Sequence, residues 1–551
     1  MSLHIRISLI VLLFFAVFSF AAVEPWSALV LQTAVFSLLA FYLFGNKTFE
    51  LSPLTKVLLL FFAAVIALGA AQCLFERTVL DGYVKYPFTF SYLYTSTELI
   101  YFLFCAAAAL LAALVFNRYE KIKILLAALS ACGVLVVIAA NIFPSDEYIA
   151  LFRHLNSAMP SFGPFINRNH AGVFLGFCFF CTLAYIAARH FEYSGTGRKN
   201  FIYEQLTLYA VCAIFIYGVI STRSRGAMLF LVLTLAAYAF VFTAIFIKSK
   251  YKKIITFTVL FLIFASAFTA IASNIDAINK FSFRSDGFSD KMRMEMYTNS
   301  LTMLKEYPVF GVGIGAFSAG LHAYGKNMRN VDRVHNDWLE FVLGTGIAGG
   351  IFALFFIFAV LFIFVKSLVK LESYRKRAML LGLGAALFYM ATASFVDFHL
   401  HIPANAFAFF IIFGAITTKS FALNYSETQI NIIVKILITI LFALSLVFTA
   451  RQTVAWHNFF MGASLSLDKK IEYYEKGLPY YKSAANGVKL TVAYRNAFLI
   501  EKDPAKKEEY AVKFNDICDE YLKRYPADIN MLRIKYQMRV TQAKLAQKAP
   551  S

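Results

Sequence analysis

Apolar runs of about twenty residues recur along most of this chain, each long enough to cross a hydrocarbon core of about 30 Å as a helix. Lipid offers no partner to an open peptide group, so such runs must close their hydrogen bonds internally. Thirteen spans are expected, at roughly 5–23, 27–44, 55–74, 97–116, 124–142, 170–188, 202–220, 227–247, 254–273, 339–365, 378–396, 403–419 and 432–450. A chain that is 60% hydrophobic and 15% charged has too little polar sequence for a water-soluble main body. The expected fold is an all-α polytopic membrane protein with about 12–13 transmembrane helices, a large outward loop between spans nine and ten, and a C-terminal α-helical domain.

Charge sets the orientation. With the N-terminus inside, the inward short loops and Arg6 hold 20 Lys and Arg residues. The outward short loops hold six: Arg77, Lys85, Arg153, Arg168, Arg223 and Arg225. The positive-inside rule therefore predicts N-terminus in and C-terminus out. The net charge of +20 is accounted for by these inward loops, and no nucleic-acid partner is expected. Residues 1–23 lack a clear small-x-small cleavage site before Glu24-Pro25, so they read as an uncleaved first helix. Six of the seven cysteines lie in apolar spans, which leaves no disulfide framework; Cys178 and Cys181 have CxxC spacing but read as packing residues.

The six outward exceptions invite a functional explanation. Arg223 and Arg225 stand at the start of the eighth span, where open N–H groups and the positive dipole end suit phosphate. Their planar forks can hold it bidentately. In the long outward segment, Asp290 to Glu306 reads as a helix with Arg293, Tyr297 and Leu301 on one face. Pro308-Val309-Phe310-Gly311-Val312-Gly313-Ile314-Gly315 reads as a close-approach loop. His322, Lys326, Arg329 and Arg333 follow, then His335-Asn336-Asp337 at the entry to the tenth span, where Asn336 and Asp337 can cap the helix. For Asp337, capping is the favoured role. Asp397, His399 and His401 have ligand-like spacing, but two histidines at i, i+2 with no third nearby make a poor metal set. Their segment is expected to pack under the pocket. His170 and His322 are read as interfacial. The tail beyond Arg451 has apolar residues at three-to-four spacing and breaks at Asn486-Gly487, Pro504 and Pro526, which reads as short helical hairpins.

Together these motifs resemble the O-antigen ligase/polymerase family of bacterial membrane proteins. The resemblance rests on Arg293-x-x-x-Tyr297-x-x-x-Leu301, the glycine loop from Pro308, His335-Asn336-Asp337-Trp338-Leu339 and Ser224-Arg225-Gly226. It also rests on Phe162-Gly163-Pro164-Phe165-Ile166-Asn167-Arg168-Asn169-His170 and on the segment Asp397 to Ala406, the latter seen in members with a helical, tetratricopeptide-like tail. It implies a glycosyltransferase using an undecaprenyl-diphosphate-linked glycan donor at the periplasmic face of the bacterial inner membrane. The acceptor would be a glycolipid, glycan or protein hydroxyl, and neither metal, cofactor nor nucleotide sugar would be needed. Carried over by position, His335 is the base and Arg223, Arg225 and Arg293 bind the diphosphate, with Arg168, Asn336 and Asp337 as secondary site residues. The membrane domain would be 1–450, with a periplasmic catalytic loop at about 274–338; residues 451–551 would form the periplasmic tail, a surface for polysaccharide-assembly proteins. One departure concerns the acceptor: where many members carry Glu-x-Gly, this chain reads Gly344-Thr345-Gly346. A transporter of lipid-linked oligosaccharides is the rival class, disfavoured because the spans are nearly free of ionisable groups and charge gathers on one face. A non-catalytic scaffold would leave the membrane motifs idle.

Overall fold

The computed structural model describes residues 2–74, 89–143, 161–193, 199–273, 290–324, 331–524 and 529–546. Arg77, Lys85, Arg153, Arg198, Lys326, Arg329 and Pro526, the loop stretch 274–289 and the side chain of His322 lie outside the described residues.

Each expected span coincides with a helix. They are α1 (Ser2–Phe18), α2 (Pro25–Gly45), α3 (Pro53–Leu74), α4 (Tyr92–Val115), α5 (Tyr119–Ile142), α6 (Arg168–Tyr193), α7 (Lys199–Ser221), α8 (Arg225–Phe246) and α9 (Lys250–Ser273). Two loop helices follow, α10 (Asp290–Glu306) and α11 (Phe317–Tyr324), and then α12 (Asp337–Lys370), α13 (Tyr374–Ala393), α14 (Pro403–Ile416) and α15 (Ile432–Ala463). Among the described residues nine of these are individually long and apolar enough to cross a membrane. The chain is an all-α polytopic membrane protein. At 14 residues α14 reaches only about 21 Å, and it lies within the bundle, almost wholly buried.

α6 runs through the centre of the bundle. Lipid supplies no hydrophobic drive between helices, so close packing relies on small residues. α6 provides them: a Cβ on Gly176 would lie 2.3 Å from the Tyr389 hydroxyl, and Gly382 of α13 meets Ala184 as closely. Cys178 and Cys181 are fully buried in this helix, and all seven cysteines are free thiols, which fits the packing reading. By contrast, α12 presents most of its apolar surface outward.

The glycine loop has a definite structural task. α12 breaks at Gly346, whose φ is 70° and ψ −175°. The N–H groups of Ile347 and Ala348 then lack acceptors in their own helix, and Pro308 and Val309 supply carbonyls at 2.7 and 3.2 Å. Gln72, fully buried on α3, fixes the junction: its amide donates to Phe310 O and Gly344 O, both at 2.9 Å, and its oxygen accepts from Ile314 N. Gly311, Gly313 and Gly315 all have positive φ. A Cβ on Gly344 would lie 2.9 Å from Ile314 Cα, so no glutamate fits there against this loop. The departure at Gly344 is thus bound to the way the loop seats on the broken helix.

Two features lie outside the helical expectation. Thr48–Leu51 (β1) pairs antiparallel with Ser426–Gln429 (β2), with Thr48 opposite Gln429. Lys435, one of the 20 inward charges expected from the sequence, is buried in the first turn of α15, where its ammonium donates to Leu43 O and Asn46 O at 2.5 and 2.7 Å and closes the C-terminal end of α2. The tail forms α16 (Leu467–Gly477), α17 (Ala484–Ile500), α18 (Pro504–Arg524) and α19 (Ile529–Ala546) around a core that includes Tyr474, Tyr494, Phe514 and Met531. α15 runs unbroken through residue 450 to Ala463, and its Phe459 belongs to this tail core. The tail touches α4: Tyr481 Oη lies 3.3 Å from Thr97 Oγ1, which also accepts from Gln452 Nε2 at 2.7 Å.

Candidate active site

His335 lies just before α12 in left-handed backbone, φ 57°, a conformation that costs about 1–3 kcal/mol for a residue with a Cβ. Neighbours on both sides hold it there. Its carbonyl accepts from Tyr297 Oη at 3.0 Å, and its ring meets the edge of Phe398 with centroids 4.7 Å apart. Only 7% of the residue is exposed.

Its Nδ1 lies 2.8 Å from Asp397 Oδ1. The other carboxylate oxygen accepts from Asn169 Nδ2 at 3.2 Å and faces the Arg293 guanidinium at 3.9 Å; Phe398 N donates to Oδ1 at 3.0 Å. Burial alone would raise the Asp397 carboxyl, but the hydrogen bond from His335 and the surrounding imidazoles hold it well below the usual carboxylate range. An ionised Asp397 can only accept, so Nδ1 of His335 is the donor in this pair. Among the described residues Arg293 Nε is buried without a hydrogen-bond partner, a donor left over for an anion.

The two sides of Asp397 are built from distant elements. α6 opens with Arg168, Asn169 and His170, of which Arg168 and His170 are buried. His170 Nδ1 lies 2.9 Å from His399 Nδ1, so the pair shares one hydrogen bond and His170 has a partner that the interfacial reading lacked. Burial lowers the His399 imidazole, and the nearby Asp397 and Asp337 offset this only in part, so it is neutral near pH 7. α8 starts beside the same segment: a Cβ on Gly226 would meet Val396 at 3.2 Å. Ser224 caps α8 by accepting from Ala227 N, and Arg223 turns the chain there with φ 54°. Arg225, the first residue of α8, is exposed at this edge. The structure thus brings His335, Arg293 and the Arg223–Arg225 turn to the segment that carries Asp397, with Arg168 at the adjoining start of α6.

Asp337 departs from its expected role. The N-cap of α12 is Asn336, whose Oδ1 accepts from Leu339 N at 3.0 Å. Asp337 is already helical, and its carboxylate bonds Leu400 N at 2.8 Å and His401 Nδ1. Only a residue with extended backbone can turn its side chain onto the first free N–H groups, and that residue is Asn336, with φ −162°. Asp337 instead joins a buried charge cluster. His401 Nε2 lies 3.0 Å from Glu98 Oε1, and Arg333 binds Glu98 at 2.8 Å and Glu340 at 2.9 Å. Burial and Arg333 both oppose a charge on His401; Glu98, Asp337 and Glu340 outweigh them and raise its pKa from 6.5 to about 10. Asp397, His399 and His401 therefore point to three separate partners, and their segment lies against His335.

This has a pH consequence. A His401 pKa raised in the folded state contributes stability fully below about pH 6.5, which is lost as pH rises toward 10. We expect His401→Gln to flatten the alkaline loss of thermal stability between about pH 7 and 10 relative to wild type; parallel curves would show that the cluster does not charge His401.

Asp397, Asn169 and Glu98 were not assigned roles from the sequence. The available signal was local: Asp397 to His401 and Asn167 to His170 concentrate polar side chains in short segments abutting apolar helices.

Residues 210–354 match the model of the family described as O-Antigen ligase. The matched segment contains Arg223, Arg225, Arg293 and His335, and it bears out the family resemblance carried by these motifs. An uncharacterized protein of Haemophilus influenzae is 29% identical over 126 residues, or 21% of this chain and 31% of that protein. The chain thus spans less than a third of the length of this curated relative.

Proposed function

We propose that this protein is an inner-membrane glycosyltransferase of the O-antigen ligase type. It moves a glycan from an undecaprenyl-diphosphate carrier to an acceptor hydroxyl at the periplasmic face. What supports this is the convergence of His335, Asp397 and Arg293 beside the Arg223–Arg225 turn, with four of these residues inside the matched segment.

In this mechanism His335 Nε2 takes the acceptor proton, and Asp397 orients the ring and stabilises the imidazolium that forms. The acceptor oxygen bonds to the anomeric carbon while the bond from that carbon to the diphosphate oxygen breaks. Attack from the face opposite the leaving group inverts the centre. Arg225 and Arg293, with Arg223 beside them, neutralise the departing diphosphate through fixed guanidiniums. The N-terminus is cytoplasmic and the tail periplasmic, where it offers a surface to polysaccharide-assembly proteins. The same chemistry serves a growing polysaccharide or a protein hydroxyl as acceptor.

Arg225→Ala and Arg293→Ala are each expected to remove a charge-assisted contact of about 1.5–3 kcal/mol, or roughly 10- to 100-fold in donor affinity. Titration of purified protein with lipid-linked donor measures this. Unchanged affinity in both variants would remove the diphosphate clamp.

A further inference from the structure

The end of the bundle opposite His335 holds a small crevice of about 90 Å³. Three elements wall it: the start of α3 with Leu54, the last turns of α12 with Phe362, Lys366 and Ser367, and the turn after α14 with Thr417 and Asn424. Lys366 lies roughly 40 Å from Asp337 along α12, so this recess is remote from the transfer chemistry.

Its lining has one lysine and no carboxylate, with hydroxyl and amide groups around it. Lys366 Nζ rests 6.0 Å from the centroid of the Phe362 ring. Phe362 heads an outward strip on α12 with Phe355, Phe358 and Val365, which are 53–70% exposed. A cation at the mouth of a mostly apolar recess, at the head of an exposed apolar strip, matches a ligand that is anionic at one end and apolar along its length. Lys366 is exposed, and its side chain stands at the mouth of a recess formed by three elements. The loop charges assign this end to the cytoplasmic leaflet, where anionic lipids attract basic side chains.

We propose that the crevice binds an anionic glycerophospholipid, with its phosphate on Lys366 and an acyl chain along Phe362 and Phe358. The test uses delipidated full-length protein in detergent, titrated separately with phosphatidylglycerol and phosphatidylcholine, with bound lipid counted by native mass spectrometry. Wild type should retain phosphatidylglycerol in preference. Lys366→Gln should lower that retention about fivefold, and Lys366→Arg should keep it. Ala422→Trp, which fills the crevice and leaves the lysine in place, should lower retention as Lys366→Gln does. Lys252→Gln, an exposed basic residue at the start of α9, should change nothing. Equal retention of the two lipids, or wild-type retention in both Lys366→Gln and Ala422→Trp, would overturn the proposal. So would complete displacement of the lipid by millimolar inorganic phosphate, which would mark a free-phosphate site.

Discussion

His335→Ala is expected to reduce glycan transfer by roughly 10²- to 10⁴-fold while expression and membrane insertion persist. The side chain is buried, but it belongs to none of the hydrophobic core clusters. The loss therefore belongs to the proton acceptor rather than to folding. Asp397→Asn separates the base from its support. An asparagine amide can present N–H to Nδ1, which favours the tautomer with the proton on Nε2, and then no lone pair faces the acceptor. Transfer should fall in this variant with little change in donor affinity. The readout is transfer in vesicles with purified lipid-linked donor, with binding followed separately. Near-normal transfer by His335→Ala would sink the base assignment. Loss in His335→Ala with a silent Asp397→Asn would keep the base and remove its orienter.

Arg333→Ala is expected to destabilise the protein by about 3–5 kcal/mol. Glu98 and Glu340 have side chains only 4% exposed, and Arg333 is the guanidinium that bridges them, at 2.8 and 2.9 Å. Without it, two buried carboxylates share His401 as their remaining cation, with Asp337 also drawing on it. The cost comes from uncompensated charge, so it should largely disappear when the carboxylates go too. The triple variant Arg333→Met, Glu98→Gln, Glu340→Gln should lie near wild type in unfolding experiments. A change below about 1 kcal/mol in the single variant would show that water already solvates the cluster. The single variant should also lose transfer activity beyond its loss of folded protein. Arg333 and Asp337 stand two residues on either side of His335, and both are anchored in this cluster, which holds the intervening left-handed turn.

Much of this was legible along the chain. The apolar runs gave the helices, because lipid leaves the backbone no alternative. The i, i+4 spacing of Arg293 and Tyr297 correctly put both on the side of α10 that meets His335. Leu301, the third member of that expected face, is 48% exposed; Met296, Ser300 and Met303 turn inward instead. Each i+4 step overshoots a full helical turn by about 40°, so a face read from three residues at that spacing drifts by about 80°. Capping was expected at Asn336 and Asp337 without a means of choosing, because the choice depends on the backbone torsions of the two residues.

The sequence by itself determined the solvent of this protein, where along the chain its membrane helices fall, and the glycine loop that precedes α12. Those follow from local physics: helix length against bilayer thickness, and glycine against positive φ. Only the tertiary structure decided the partners. Asp397 reaches His335 across 62 residues, Arg333 reaches Glu98 across 235 and His170 reaches His399 across 229. A buried ionisable group must find a compensating partner wherever the bundle places one, and no periodicity along the chain records which one that is.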